Sequence, residues 1–296
     1  MPQTSIPTLT PTSSGTDQLS SLTPDKLKLL SQFRSNLPNL LSSQKLSPSE
    51  STLKPITTDI ALYCYLQGNR WSLAEAEKQW LKTVAWRIAY KTSEISHEDE
   101  DVSKCARFRT NYVNGFDKFG RPLIYLKKRA DKHEKHDFAA GLRLLVHSLE
   151  TALKVMPSTA HQLVIIMDFT LFHQSHSVPL PVARETLTIL STHYPERLAR
   201  AYLVNAPFLL RCFLKLLSPF MDEVTRNKIV FVDNVPTEAN MQDGAETKNG
   251  KSKIDPILAE WIDESMLEVA YGGNLNFVYE HDIYWSFAEE NGIKAW

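Results

Sequence analysis

The sequence is short of cysteine: Cys64, Cys105 and Cys212 stand far apart, with no CxxC pair among them. That excludes a disulfide framework and a cysteine-built zinc site, and it fits a reducing compartment. A charge excess of either sign is also missing, since 33 Lys and Arg residues face 34 Asp and Glu residues for a net charge of −1. Bulk electrostatic binding of nucleic acid is therefore not expected. No uninterrupted apolar run approaches the roughly 20 residues of a membrane-spanning helix. The N-terminus shows no basic region leading into an apolar stretch, so secretion is not expected and a cytoplasmic location is. The 296 residues, 43% of them hydrophobic, suffice for one large domain or two small ones around a sizeable core.

Chemistry-bearing motifs are scarce too. Gly250-Lys251-Ser252 resembles the end of a nucleotide-binding loop, but the position of the required first glycine holds Ala245, and no strand leads directly into it. His133 and His136, and likewise His173 and His176, stand three apart without a clear third ligand, so no metal site is expected. Neither a GxSxG elbow nor a nucleophile–base pairing stands out, and the expectation is a protein without catalysis.

What is present divides into three parts. Fifteen of the first 24 residues are Pro, Ser or Thr. Such a segment buries too little surface to offset its ordering entropy and reads as a disordered tail over 1–24. A helical unit with a linker follows over 25–103. Thr23 is placed to cap its first helix, Pro24 to sit at the first helical position, and Leu27, Leu30, Phe33 and Leu37 share a face. Residues 42–58 read as linker and 59–67 as helix. Ser72-Leu73-Ala74-Glu75 has the capping-box pattern ahead of Trp80, Val84 and Ile88.

From residue 104 the pattern alternates. Strands are expected at 108–113 and 122–126, with Asn114-Gly115 and Phe119-Gly120-Arg121-Pro122 supplying the turn chemistry. An amphipathic helix over 137–155 places Phe138, Leu142, Leu145, Val146, Leu149 and Leu153 on one face, with Asp137 as its cap. Leu163–Met167 is the short apolar run of a strand buried on both sides. Helix 181–194, strand 201–204, helix 208–217 and strand 229–232 follow. This alternation predicts an α/β fold with a mainly parallel sheet covered by helices. Residues 234–253 read as a flexible insertion, and a helix starting at Asp255-Pro256 is expected to run on to Tyr271-Gly272-Gly273. Lys127 to His136 is a basic stretch that reads as a solvated loop, with anionic lipid head groups as the alternative partner.

Residues 194–233 are the most informative. Tyr194-Pro195-Glu196-Arg197 precedes a strand. Asn205-Ala206-Pro207 leads into a helix apolar nearly all round, and Thr225-Arg226-Asn227-Lys228 leads into the last strand. Together with Tyr65 to Trp71, Phe119-Gly120-Arg121-Pro122, Leu163 to Phe169 and the Tyr271-to-Trp285 segment, this order resembles the CRAL-TRIO lipid-binding domain, in particular that of fungal secretory-type phosphatidylinositol transfer proteins. The likeness runs over about residues 59–287.

The resemblance implies a sheet flooring an apolar pocket for one lipid, closed by a mobile helix. By position Phe208, Leu210, Phe213, Leu214, Leu217 and Phe220 belong to that gate. The residues around an inositol phosphate map onto Arg70, Glu196, Thr225 and Lys228. Cationic donors suit a phosphodiester, and a carboxylate can accept from inositol hydroxyls. The positions that serve phosphatidylcholine in other members hold Val113 and Ile124 in place of tyrosines, so phosphatidylcholine binding is not expected. A sterol or other apolar second ligand is an alternative, with His173 either meeting its hydroxyl or serving as a satisfied core histidine. The implied function is phosphatidylinositol binding and transfer at transiently touched membrane surfaces, with presentation of that lipid to a lipid kinase as a further role. The rival readings are a lipid-sensing or partner-recruiting module without transfer, and a hydrolase with a cryptic site. The bound lipid is the only non-protein component expected.

Overall fold

The computed structural model describes residues 3–13, 15, 17–96, 99–108, 111–127, 137–170, 172, 177–233, 235, 254–291 and 293. Four helices open it: α1 Pro24–Ser43, α2 Glu50–Thr57, α3 Asp59–Gly68 and α4 Leu73–Tyr90. Pro24 takes the first helical position, where a missing N–H costs nothing. Neither Thr23 nor Ser72 caps with its side chain, contrary to expectation; the side-chain caps come from Ser49 and Thr58. The four helices close on Leu30, Phe33, Ile56, Leu62, Leu66 and Trp80. The Trp80 indole N–H donates to the Ile56 carbonyl at 3.0 Å. Leu27, expected on this face, is exposed. Part of the expected linker is helix α2, because Ile56 and Thr52 are buried against the unit. The polar composition of 42–58 hid one apolar face.

After α5, Glu100–Arg107, the chain builds a sheet of β1 Asn111–Phe116, β2 Pro122–Lys127, β3 Leu163–Asp168, β4 Leu198–Val204 and β5 Ile229–Val232. Strand order follows chain order. β1 runs antiparallel to β2, and the remaining pairs are parallel. The crossovers are α6 Phe138–Val155, α7 Leu180–His193, and α8 Phe208–Leu217 with the short α9 Glu223–Asn227. Because the order never reverses, right-handed crossovers place all of these helices on one face. Alternation sorts the strand residues accordingly: Leu163, Ile165, Met167, Ala201 and Leu203 line a cavity under those helices, while Val164, Ile166 and Tyr202 turn to the back.

The back of the sheet is covered by the C-terminal segment, which includes α10 Pro256–Trp261 and α11 His281–Glu290. Tyr271 stacks on Tyr125 at 5.4 Å and donates its hydroxyl to Asp168 at 3.1 Å. The Tyr284 hydroxyl donates to the Val113 carbonyl and accepts from the Val113 N–H, each at 3.0 Å. The helix starting at Pro256 stops at Trp261 rather than at Tyr271, since the Asp263 carboxylate captures the Ser265 N–H in a local turn. A separate helical turn, Val269–Tyr271, ends on Gly272 at φ +86°.

Two further expectations are corrected. Asn114-Gly115 is a bulge inside β1 and not a turn. Gly115 has φ +74°, and a Cβ there would lie 2.3 Å from the Met266 carbonyl oxygen. The turn itself is built on Asp117, whose carboxylate accepts from the backbone of Phe119 and Arg121 at 2.9 Å. Nor is the segment before α1 a free tail. The Thr4 N–H donates to Asn276 O, and Thr4 O accepts from the Val278 N–H; the Thr8 N–H donates to the Asn114 side-chain oxygen, and Thr8 O accepts from the Gly115 N–H. Leu9 is buried in the main core. Backbone pairing with segments already ordered holds this strap, and composition does not report such partners. The expected insertion lies outside the described residues except Val235, which is buried and exchanges two hydrogen bonds with Asn205.

Candidate functional site

Between the sheet and α6, α7 and α8 lies a cavity of about 1510 Å³. Sites for drug-sized ligands run to roughly 300–1,000 Å³, so this one suits a larger guest. Its wall is apolar: Leu145 and Leu149 from α6, Leu187 and Leu190 from α7, Ile165 and Leu203 from the floor.

Helix α8 closes one side. Leu210, Phe213, Leu214 and Leu217, followed by Phe220, face the cavity. Leu217 is the one buried residue of α8. Phe208, assigned from the sequence to the same set, is not a lining residue: it is 75% exposed at the helix start, and Leu216 is 65% exposed. An apolar helix with so little packing is held at its ends. Arg211 makes two 2.6 Å hydrogen bonds to the Asp233 carboxylate and lies 4.1 Å over the Phe231 ring. Arg184 of α7 lies 3.9 Å over the Phe220 ring.

Val113 and Ile124 are paired across β1 and β2. They share the cavity-side face with Leu126 but are fully buried and do not line the cavity, because α6 packs over both strands. The sequence-based placement of these two in the pocket is therefore corrected. His173, the two histidine pairs and the Gly250-Lys251-Ser252 decoy lie outside the described residues. Of the basic stretch only Lys127 is described. It is buried, with its ammonium 3.5 Å from Glu268.

Arg70, Glu196, Thr225 and Lys228 all line one end of the cavity. Lys228 Nζ stands 3.8 Å from Glu196 Oε2. A Cβ on Gly68 would lie 3.3 Å from Pro195 and 3.7 Å from the Glu196 Cγ, so the end of α3 abuts the Tyr194-Pro195-Glu196 turn. Arg70 follows two residues later and is exposed at the rim. Arg70 and Glu196 both have left-handed backbones, φ +53° and +57°. For a non-glycine residue that geometry costs about 1–3 kcal/mol and persists only where its surroundings impose it. The Thr225 hydroxyl donates to Asp222 at 2.6 Å, and its N–H does so at 2.8 Å, which caps α9.

Sequence reasoning passed over two residues of this end. Arg197 is 8% exposed and lines the cavity; its neighbour Glu196 in the same motif was the only available signal. Gln79 also lines it and donates to the Ser191 and Thr192 carbonyls, which ties α4 to the end of α7. A deeper tie is the buried pair of Arg87 and Glu150, bidentate at 2.8 and 2.9 Å, with the Tyr194 hydroxyl donating to Glu150 at 2.7 Å. Burial opposes the charge on Arg87, but the Glu150 carboxylate raises its pKa on balance. This one carboxylate joins α4, α6 and the turn that carries Glu196.

Among the described residues no helix is long and apolar enough to cross a membrane. The sequence model of the CRAL/TRIO domain matches residues 107–273. The "Phosphatidylinositol transfer protein PDR17" of Saccharomyces cerevisiae is 29% identical over 234 residues, 75% of this chain and 59% of that protein. The CRAL-TRIO domain-containing protein C23B6.04c of Schizosaccharomyces pombe is 29% identical over 221 residues, covering 75% of this chain and 19% of its own length. The "SEC14 cytosolic factor" of Candida glabrata is 26% identical over 220 residues, 67% of this chain and 72% of that one. The chain thus spans less than two thirds of the length of each of the first two relatives. The crystal structure of Sfh5 superposes with a TM-score of 0.62 at 14% identity, over 88% of this chain and 91% of the other.

Proposed function

Because the chain belongs to the CRAL/TRIO domain family, we propose that it binds phosphatidylinositol and carries it between membranes, one lipid at a time. The observation that carries this reading is the apolar-walled cavity of about 1510 Å³ whose lining brings Glu196 and Lys228 together beside the end of α3 that carries Arg70. The name of the Saccharomyces cerevisiae relative supports the choice of lipid class. The acyl chains take the apolar wall. Lys228 and Arg70 meet the phosphate, and Glu196 accepts from the inositol hydroxyls, with Thr225 beside them.

The physical problem such a protein solves is exposure. Each CH₂ moved out of water gains about 0.8 kcal/mol, so two acyl chains in bare water cost roughly 20 kcal/mol or more. A cavity that replaces the bilayer interior makes the transfer nearly neutral. The barrier then lies in moving α8. The exposed Phe208, Leu209 and Leu216 can enter a membrane interface and lower that barrier at the surface. In this reading the protein works in the cytoplasm, touches membranes transiently, catalyses nothing, and can offer its lipid to a lipid kinase.

The test is native mass spectrometry of the purified protein, followed by vesicle-to-vesicle transfer with Lys228→Ala and Glu196→Ala. Wild type should carry phosphatidylinositol and move it, and both variants should lose most of the transfer. A wild type that carries no lipid and moves none overturns the proposal. Binding without transfer selects the lipid-sensing alternative, and product formation from bound lipid selects the hydrolase.

A further inference from the structure

Arg197 is a charged side chain of the cavity with no counter-charge among the described residues. It is 8% exposed, and its one hydrogen bond among the described residues runs from Nη1 to the backbone carbonyl of His161 at 2.9 Å. No carboxylate among the described residues pairs with it; the neighbouring Glu196 faces Lys228 instead. The remaining guanidinium nitrogens are not sealed away as buried unpaired atoms, and the residue lines the cavity. A buried cation without a counter-charge is strongly unfavourable, so a residue held this way points to an anion supplied from elsewhere. His161 registers the same surplus. Burial first, then Arg197, Arg121 and Lys228, press its pKa down to about 4.

We propose that Arg197 is an inner anion anchor of the cavity: its planar guanidinium binds the phosphate of the guest from the buried side, opposite the rim, and selects anionic over neutral amphiphiles. The guanidinium fork suits two oxygens of one phosphate. A guest of equal chain length but without the phosphate leaves Arg197 uncompensated and is rejected for that reason. The proposal rests on the reading of the cavity as a lipid site and adds the selecting group.

The experiment loads delipidated protein from vesicles that contain phosphatidylinositol and diacylglycerol of matched chains, and reads the ratio of bound lipids by native mass spectrometry. Wild type should favour phosphatidylinositol. Arg197→Gln should lower that ratio by about 10-fold or more, the scale of a lost charge-assisted bond, with diacylglycerol uptake unchanged. Arg197→Lys, which keeps the charge and loses the fork, should fall between. An equal loss of both lipids, or no change in the ratio, assigns Arg197 a purely structural role and overturns the anchor while leaving phosphatidylinositol transfer standing. Wild type that loads neither lipid overturns both.

Should Arg197→Gln fail to fold, the wild-type Arg197 Nε–Hε resonance decides. It should shift on loading with phosphatidylinositol and stay in place with diacylglycerol or with millimolar inorganic phosphate alone. A shift with inorganic phosphate as large as with the lipid makes this a free-phosphate site and overturns the lipid anchor.

Discussion

Lys228 Nζ lies 3.8 Å from Glu196 Oε2 at the charged end of the cavity, with 17% and 30% of the two side chains exposed. A partly exposed pair at that distance adds about 0–1 kcal/mol to stability. Stability therefore gives little reason for this placement, and the proposed lipid site supplies one. Exchanging the two, Lys228→Glu with Glu196→Lys, should leave the urea midpoint nearly unchanged and cut phosphatidylinositol loading about 10-fold. A swapped protein that loads normally removes the assignment of these two residues.

The Arg87–Glu150 pair sets the opposite expectation. Both side chains are buried, 1% and 4% exposed. Arg87→Ala should destabilise by about 3–5 kcal/mol, because it strands the Glu150 carboxylate in the interior. Arg87→Met with Glu150→Leu should recover much of that loss. Urea unfolding of the three proteins measures both effects.

His161 and His193 both have pKa values pressed from 6.5 to about 4. Burial is the larger cause in each; Arg197 is the next for His161 and Arg87 for His193. The unfolded chain thus binds more protons than the folded one between these values. Their contribution to stability is complete above pH 6.5 and is lost as pH falls toward 4. His193→Phe keeps a ring against Trp86, on which His193 now stacks at 4.2 Å, and should flatten the decline in unfolding midpoint across that window.

The Arg211–Asp233 pair predicts a rate for the proposed movement of α8. The Arg211 and Asp233 side chains are 33% and 52% exposed, so the pair is worth about 0.2–1 kcal/mol. Asp233→Asn should speed spontaneous release of a fluorescent phosphatidylinositol by about two- to five-fold without changing equilibrium stability by more than the same amount. Unchanged release would place the barrier elsewhere than at the end of α8.

The N-terminal strap predicts a stability effect far from the cavity. Leu9 is buried in the main core. Leu9→Ala should cost about 2–3 kcal/mol, the lower part of the range for a buried leucine, because a strap can settle more readily than a core helix. A thermal midpoint equal to wild type would mean the strap is not docked in solution.

The fold was legible wherever a segment carried its own periodicity. The Leu163–Met167 run is β3, the 137–155 amphipathic stretch is α6 with Asp137 capping it, and the apolar segment after Pro207 is α8. These patterns are local, since burial on one or two faces writes itself into consecutive residues. The motif around Glu196, Thr225 and Lys228 was legible only through resemblance, as no spacing rule marks a glutamate after Tyr-Pro as a site. Arg197, beside Glu196, carries no sequence signal of its own, because its distinction is not its type but the lack of a counter-charge among the described residues.

From its sequence alone the chain determined the alternation of strand and helix, the apolar nature of α8 and the charge types available near the rim. Tertiary structure decided which of these meet. Helix α2 is helical, and the strap ordered, because distant residues cover or pair with them. Val113 and Ile124 leave the cavity because α6 lies on them. Whether a buried charge has a counter-charge is a statement about distances across the fold, and Coulomb energy depends on separation in space, which composition and order along the chain do not contain.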